Sequence, residues 1–290
     1  NPYKAGIWFT DAKNYSETDL GYGSIYNPHR LSSIFARANY NYDERYMFQA
    51  SIRRDGSSNF GANYLYGIFP SFSLGWNFTN EQFLKDNEIL SKGKLRASWG
   101  KNGNENIGQY VFTTSMYQGN NYVFGKGANE TIVNGAKPSG FANPDVHWEE
   151  SVQTDIGTDL EFLKGAVTFS ADWYRKLTIG MLMTRPIPAY AGDSAPTANV
   201  GTMENRGWEF EFGYKQQFGD LFFQATANAT YLKNTLINLG NDTGWQNYDT
   251  HKIGTLTRAQ NSYPFPFFYG WVTDGIFQNA DEINAYVNAD

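Results

Sequence analysis

The stretch Val152-Gln153-Thr154-Asp155-Ile156-Gly157-Thr158-Asp159-Leu160-Glu161-Phe162 decides the fold. Successive side chains of a β-strand point to opposite faces. This stretch therefore has an apolar face that ends in an aromatic ring and a polar face that carries acids. A soluble sheet with one buried face shows the same alternation, so its setting depends on how often the pattern recurs and on what joins the copies.

The alternation recurs in eight segments, which we predict to be strands. They are residues 34–42, 46–53, 71–78, 94–99, 152–162, 167–174, 208–215 and 221–231. The connections after the first, third, fifth and seventh segments are short or compact, and the others are mostly long. We expect a short helical connector at 80–90 and loop-like segments at 101–150, 177–206 and 232–290. Short turns at one end and long loops at the other are typical of outer-membrane barrels.

Composition excludes several classes of protein. The 290 residues carry a net charge of -6, with 41% hydrophobic and 17% aromatic residues. No apolar run approaches the roughly 18 residues of a transmembrane helix, although a membrane β-barrel escapes that test. The lack of cysteine excludes disulfides, and the mild acidity predicts no nucleic-acid partner. The chain begins Asn1-Pro2-Tyr3, with neither an initiator Met nor a signal peptide, and we interpret it as a fragment.

Aromatic residues of the apolar face gather at both ends of the predicted strands. Near the short turns lie Tyr42, Tyr46, Phe78, Phe162 and Tyr214, and near the long loops lie Trp99, Trp173, Trp208 and Tyr231. Two aromatic girdles around an apolar band suit a bilayer, because amphipathic rings settle at headgroup level. We therefore predict an all-β transmembrane section whose girdle faces lipid. A soluble β-sandwich that buries this face is the alternative, but its aromatics would more often lie in mid-strand.

The polar face would then line a lumen. Its charged members are Arg37, Arg53, Lys94, Arg96, Asp155, Asp159, Glu161, Asp172, Glu209 and Glu211. Antiparallel pairing of the fourth and fifth strands would bring Lys94 and Arg96 near Asp159 and Glu161, so we expect ion pairs there. We interpret most of these residues as a solvated wall, with contact to a plug as the alternative.

The sequence predicts binding rather than catalysis. The histidines, His29, His147 and His251, lie in predicted loops without metal-ligand spacing, and no strand supplies a His to activate a nucleophile. We expect no enzyme, no cofactor and no metal, and we favour an Asx–Gly turn over a calcium loop at 241–244.

Loop aromatics beside amides and carboxylates suit sugars or peptides. The candidate ligand-binding residues are Tyr117, Tyr122, Trp148, Trp245, Tyr248 and Trp271. Packing of the loops against each other is the alternative role for each of these rings.

Four segments carry longer motifs: RRDGSSNFG at 53–61, GIFPSFSLGW at 67–76, KLRASWGKNGN at 94–104 and NPDVHWE at 143–149. They resemble RRDGSSRFG, G-x-FPS-x-S-x-GW, KLRASYGxxGN and NPDLKWE of the SusC/RagA-type TonB-dependent outer-membrane transporters. Residues 172–174, 186–189, 199–207 and 268–278 resemble further family segments. The matches keep the family's order from about residue 30 to 285. Each motif is modest alone, and together they are specific.

The resemblance implies an outer-membrane β-barrel of Bacteroidota with about 22 strands and long extracellular loops, of the plugged-transporter class. It implies an N-terminal plug, a SusD-like surface lipoprotein that acts as a lid, and energy from the TonB–ExbB–ExbD complex through the plug. It also implies contact with outer-membrane lipid and a ligand that is usually a glycan and sometimes a peptide. The matched motifs would be folding devices in which Gly and Pro set turns.

We expect residues 1–290 to be part of one barrel domain, an interior section of about eight strands without the plug, the TonB box or the final strands. The function that follows is TonB-dependent import of glycans or peptides across the outer membrane. The alternatives are a surface adhesin or soluble carbohydrate-binding sandwich, a passive porin and, least favoured, a barrel hydrolase.

Overall fold

The computed structural model describes residues 29–84, 87, 89–109, 111–114, 116–119, 121–138, 140–185, 187–188, 190, 192–250, 254–273 and 275–287. Of residues 118, 128, 249 and 250 only the backbone is described. His251, one of the three loop histidines, lies outside these residues.

One antiparallel sheet of eight strands dominates the molecule, and its spatial order is the chain order. The strands are β1 (Leu31–Tyr42), β2 (Tyr46–Ser57), β3 (Tyr66–Asn77), β4 (Leu90–Asn104), β5 (Glu149–Phe162), β6 (Val167–Ile179), β7 (Thr202–Phe218) and β8 (Leu221–Asn238). All eight predicted strands are present, and the all-β antiparallel fold is confirmed. In the described part of the chain the sheet is open, with one unpaired edge on β1 and one on β8.

The strand registers align the two faces across the whole sheet. One row of directly paired residues runs through Tyr42, Tyr46, Trp76, Leu95, Thr158, Ala171, Phe210 and Ala229. Residues two positions away on each strand extend the same face, which is mainly apolar. We call this side of the sheet the apolar face and the other side the polar face.

Short connections lie at one end of the sheet. They are the β1–β2 turn at 43–45, the β3–β4 connector at 78–89, the 3₁₀ turn Leu163–Gly165 and the β7–β8 turn at 219–220. The predicted helix at 80–90 is wrong over its described residues: a 3₁₀ turn at Phe78–Asn80 ends where the helix was expected to begin, and Glu81 is extended. The Glu81 side chain explains the difference, because it folds back to accept hydrogen bonds from Tyr46 and Trp76.

The longer loops lie at the opposite end and contain small sheets of their own. Hairpins pair Met116–Gln118 with Ala136–Pro138, Tyr122–Phe124 with Thr131–Val133 and Leu182–Thr184 with Thr197–Asn199. The β2–β3 loop at 58–65 is the exception in length, since it is shorter than the β3–β4 connector.

The segment after β8 corrects the loop-like prediction for 232–290. β8 itself continues to Asn238, and Trp245–Thr250, Gly254–Gln260 and Phe267–Phe268 form a three-stranded sheet. A helix, α1 (Ala280–Val287), follows. The sequence signal is weak here because the small sheet depends on burial of Ala259 against Leu236 of β8 rather than on regular alternation. No helix in the described residues is long and apolar enough to cross a membrane.

Buried hydrophobic residues are concentrated at the long-loop end. One cluster contains Phe60, Phe69, Val146 and Trp148, and the second contains Met181, Leu236, Leu239 and Ala259. The apolar face of the sheet is by contrast uncovered: Ile34, Leu74 and Ile156 are 72%, 58% and 54% exposed. A large exposed apolar surface of this kind marks a contact with another protein or with a membrane.

Candidate functional site

The polar face carries a charge network centred on Arg96 of β4. Its guanidinium donates two hydrogen bonds to Asp159 of β5, at 2.7 and 2.9 Å, and one to Asp172 of β6, at 3.0 Å. Ser170 donates to the same Asp159 carboxylate at 3.1 Å. The bidentate pairing with one carboxylate uses the fork geometry that only arginine offers. One cation thus joins three neighbouring strands.

Gly157 makes this reach possible. It lies opposite Arg96 on β4 and opposite Asp172 on β6. A Cβ at this position would collide with the Asp172 carboxylate and crowd the Arg96 guanidinium. Glycine in a strand interior costs stability, and close approach of neighbouring groups is a recognised reason for it. The absence of a side chain at Gly157 therefore leaves room for the Arg96 guanidinium to reach Asp172 across β5.

The expected ion pairs between the fourth and fifth strands are present with one change of partner. Arg96 binds Asp159 as expected, but Glu161 pairs with Lys92 at 3.2 Å rather than with Lys94. The regular register of β4 and β5 places Lys92 opposite Glu161 and Lys94 opposite Asp159. The sequence missed Lys92 because the predicted strand began at Lys94.

All ten charged residues predicted for the polar face lie on that face by register. Asp155 accepts hydrogen bonds from Ser98 at 3.0 Å and from Gln153 at 2.8 Å. Arg53 pairs with Asp55 at 2.7 Å. Within the described part of the chain, no ion pair is formed by Arg37, Lys94, Glu209 or Glu211. Glu209 and Glu211 lie opposite Asp172 and Ser170, so the polar face of β5–β7 is acidic.

The aromatic residues predicted as girdles lie on the apolar face. Trp173, Trp208 and Tyr231 form one cross-strand row, and Tyr42 stacks on Tyr46 with ring centroids 6.5 Å apart. Trp99 stacks on Phe72 at 6.0 Å. Phe78 lies just beyond β3 in the 3₁₀ turn, with its ring over Gly93.

Phe162 and Tyr214 each pair with Val167 across neighbouring strands, which places both on the same face.

A polar cluster at the short-turn end was not predicted. The Glu81 carboxylate accepts hydrogen bonds from Tyr46 Oη at 2.6 Å, Trp76 Nε1 at 3.1 Å and Arg45 Nη1 at 3.2 Å. These bonds, that from Tyr46 foremost, hold the pKa of Glu81 below its usual value. The cluster fastens the β3–β4 connector to the β1–β2 hairpin. Sequence reasoning missed it because a helix prediction would have turned Glu81 towards solvent.

Both hydrophobic clusters at the long-loop end rest on the polar side of the wall. Phe69 lies opposite Arg53, and Leu236 lies opposite Met203, and both belong to the polar face by register. Trp148 packs on Phe60 and Phe69, with ring centroids 5.1 and 5.5 Å apart, and its Nε1 donates to the Leu65 carbonyl at 3.3 Å. The loops therefore fold over the polar side of the sheet instead of extending away from it.

Asn199 fastens two of these loops together. The His147 amide donates to Asn199 Oδ1 at 2.9 Å, and Asn199 Nδ2 donates to the carbonyls of His147 and Gly180 at 2.7 and 3.0 Å. Asn143 Nδ2 donates to the Thr197 carbonyl at 2.9 Å. Three of the matched motifs thus hold one another: 53–61 supplies Phe60, 143–149 supplies Trp148, and 199–207 supplies Asn199. These contacts hold the three motifs together at the long-loop end.

The six candidate ligand-binding aromatics have different environments. Trp148 is 7% exposed and belongs to the first hydrophobic cluster, while Tyr248 packs against the second. Burial raises the pKa of Tyr248. Tyr117, Tyr122 and Trp271 are exposed, and Trp271 is 99% accessible. Packing is therefore the role of Trp148 in this structure, and the exposed rings retain surface for a ligand.

Trp245 has one side occupied by a cation. The Arg258 guanidinium lies 4.6 Å from its ring centroid and 3.4 Å from that of Tyr269. Trp245 is still 43% exposed.

The described histidines take part in loop structure. His29 Nε2 lies 3.1 Å from the Glu105 carboxylate, and His147 Nδ1 lies 2.9 Å from the Asp145 carbonyl. Asn241 and Thr243 both donate to the Trp245 carbonyl, and the Gly244 amide donates to Asn241, which makes 241–244 a hydrogen-bonded turn. No group of three metal-ligating side chains occurs within the residues that the structure describes.

A sheet of consecutive antiparallel strands, with an uncovered apolar face, a charged opposite face, short turns at one end and large loops at the other, defines a wall section of an outer-membrane β-barrel. The chain belongs to the family described as "TonB dependent receptor-like, beta-barrel", which matches residues 2–287. Proteins of this family lie in the outer membrane of Gram-negative bacteria, and the predicted location is confirmed.

Individual relatives agree with this assignment. TonB-dependent receptor P39 of Formosa agariphila is 36% identical over 279 residues, 96% of this chain and 25% of the relative. TonB-dependent receptor SusC of Bacteroides thetaiotaomicron is 35% identical over 240 residues, 79% of this chain and 23% of the relative. The chain spans about a quarter of the length of these curated relatives.

A solved structure, that of the RagAB peptide transporter, matches 92% of this chain and 28% of its own with a TM-score of 0.75 and 25% identity. The predicted resemblance to the SusC/RagA family is thereby confirmed.

Proposed function

We propose that this chain is a wall section of a TonB-dependent transporter that imports oligomeric nutrients across the outer membrane. The observation that carries the proposal is the two-faced, open sheet within a family of TonB-dependent receptors. Long exposed edge strands are a liability that proteins cover or pair, and the remaining three quarters of a relative's length would supply the strands that close the barrel.

The apolar face would contact lipid. Tyr42, Tyr46, Phe78, Phe162 and Tyr214 would form the periplasmic girdle, and Trp99, Trp173, Trp208 and Tyr231 the extracellular one. Strand tilt supports this placement. The row of paired residues that starts at Tyr42, the last residue of β1, meets β7 at Phe210, eight positions before its end at Phe218. With about 3.3 Å per residue and about 4.8 Å between strands, that drift over six strand spacings gives a tilt of about 40°, as membrane barrels have.

The polar face would bound the translocation path. The acidic residues on β5–β7 would keep this face hydrated, and the Arg96 network would keep it rigid. An oligomer with many polar groups could then move along it. The loops would form the outer mouth of this path, because their hydrophobic clusters rest on the polar side of the wall. Of the six candidate ligand-binding aromatics, Tyr117, Tyr122, Trp245 and Trp271 keep the most surface available for a ligand.

The proposed partners are a SusD-like surface lipoprotein that covers the mouth as a lid and the TonB–ExbB–ExbD complex acting through a plug. Two observations bear on the cargo. One solved relative is the RagAB peptide transporter, and the resemblance to the SusC/RagA-type transporters implies a cargo that is usually a glycan and sometimes a peptide. We therefore propose an oligomeric cargo of either kind.

Uptake by the whole transporter tests the proposal. Cells that express it are given a mixture of labelled oligosaccharides and oligopeptides, with and without a protonophore and with and without TonB. We expect accumulation of one class that requires both the proton-motive force and TonB. Uptake that persists when either is removed would instead establish a passive porin, and surface binding without accumulation would establish an adhesin.

A further inference from the structure

Three cations line up on the apolar face at the long-loop end of β6–β8. Arg175 lies directly opposite Arg206, and Arg206 lies directly opposite Lys233. This basic row is parallel to the row Trp173, Trp208 and Tyr231 and lies two positions farther towards the long loops. Directly paired residues on adjacent strands have Cα atoms about 5 Å apart, so three positive charges occupy roughly 10 Å.

The basic row is only partly neutralised. Glu204 of β7 receives Arg175 Nε at 2.6 Å and lies 3.8 Å from Arg206 Nε. Lys233 is exposed and has no ion pair within the described chain. Arg175 and Arg206 keep 47% and 52% of their side-chain surface accessible. The row thus combines three cations with one acid and leaves a net positive, accessible patch.

The opposite ends of the same strands carry no such charge. There the apolar face presents Val167 of β6, Tyr214 and Phe218 of β7, and Leu221 and Phe223 of β8. If these cations served only solubility or strand pairing, similar charges would be expected at both ends of the strands. On the apolar face of β6–β8 the cations lie at one end only, immediately beyond an aromatic row, which indicates an anionic headgroup layer at that end.

We propose that Arg175, Arg206 and Lys233 bind the phosphate groups of a phosphorylated glycolipid in the outer leaflet. The inference rests on the lipid-facing orientation given under the proposed function. Arginine forks bind phosphate oxygens bidentately, and Lys233 adds a point charge beside them. Trp173, Trp208 and Tyr231 would contact the sugar–acyl boundary just below. Glu204 holds Arg175 in the row while leaving the net charge positive.

The test uses the whole transporter in neutral detergent, titrated with diphosphoryl lipid A, with bound lipid counted by native mass spectrometry. The triple variant R175Q/R206Q/K233Q removes three charges that attract anionic headgroups, so we expect it to bind at least about tenfold more weakly. The matched control K176Q/R185Q/K215Q removes the same charge from the polar face and the loops and should change affinity less than about twofold. Equal weakening in both variants, or in neither, would overturn the inference.

Two further measurements keep the result decisive. K233Q alone removes a side chain without an ion pair in the described chain and should weaken binding about threefold, even if the triple variant misfolds. Inorganic phosphate at the same concentration should not displace lipid A, and displacement would identify a free-anion site instead. Energised uptake is measured in parallel: unchanged lipid binding by the variants with normal uptake refutes only this inference, whereas uptake without TonB refutes only the proposed function.

Discussion

Arg96 shows how a single side chain ties the wall together. It bridges carboxylates on two other strands, and Gly157 keeps the space through which it reaches. Removing it would leave Asp159 and Asp172 near each other without their shared cation. A surface pair is worth little, but a bidentate, partly buried one contributes more.

We expect Arg96→Ala to lower the free energy of unfolding of the whole transporter by about 1–2 kcal/mol, measured by urea titration in detergent. Lys94→Ala is the matched control, because Lys94 shares the polar face and forms no ion pair in the described residues. Lys94→Ala should lower the free energy of unfolding by less than about 0.5 kcal/mol. Equal losses for the two variants would contradict the bridging role.

The Glu81 carboxylate, at the short-turn end, makes a pH-dependent contribution to the stability of the folded protein. Its folded pKa lies below the ordinary value, chiefly because of the hydrogen bond from Tyr46 and then those from Trp76 and Arg45. A carboxyl whose pKa is lowered by folding stabilises the folded state above its unfolded pKa, and this contribution is lost as the pH falls through the folded pKa. Glu81→Gln should therefore be less stable than the native protein at pH 7.

The difference in stability between Glu81→Gln and the native protein should become smaller as the pH falls below the ordinary range of carboxyl pKa values. Thermal unfolding at a series of pH values measures it, with Glu44→Gln as the control in the neighbouring turn. A difference that is constant with pH would show that the carboxylate charge is not the source of the stability.

The elements of this chain differ in how far the sequence predicts them. Strands β5 and β6 follow directly from alternation and from the turn at 163–165, and their faces were assigned correctly. The ends of β4 were not predicted, because its extension from Leu90 to Asn104 depends on pairing with β5 rather than on its own pattern. The loop clusters were beyond sequence reasoning for the same reason: Trp148 and Phe60 have no shared periodicity and meet only through tertiary contacts.

Trp148 is the best test of the loop architecture. Trp148→Ala would leave a cavity between Phe60 and Phe69, and large-to-small changes of this type cost about 3–5 kcal/mol. We expect this loss to appear locally, as faster proteolysis within 105–148, while the strands stay intact in a heat-modifiability gel. Trp271→Ala removes a ring that is 99% exposed and should leave cleavage unchanged. Equal protection in the two variants would mean that the cluster does not hold the loops.

In the whole molecule, we propose that one face of the eight-stranded sheet contacts lipid and the other lines an aqueous path. Four features support this arrangement: the uncovered apolar face, the aromatic rows at its two ends, the strand stagger and the loops folded over the polar side. The wall would then separate lipid from water. The proposed import function and the proposed lipid site both depend on that boundary.

Site-directed spin labelling along β8 measures which face of the sheet contacts lipid. Single cysteines are placed in turn at residues 225–230 of the whole transporter, since this section contains no cysteine of its own, and each label is tested for collision with lipid-soluble oxygen and with a water-soluble nickel complex. We predict a period of two, with Ala225, Ala227 and Ala229 accessible to oxygen and Thr226, Asn228 and Thr230 to nickel. Equal access on both sets of positions, or the reverse pattern, would contradict the account.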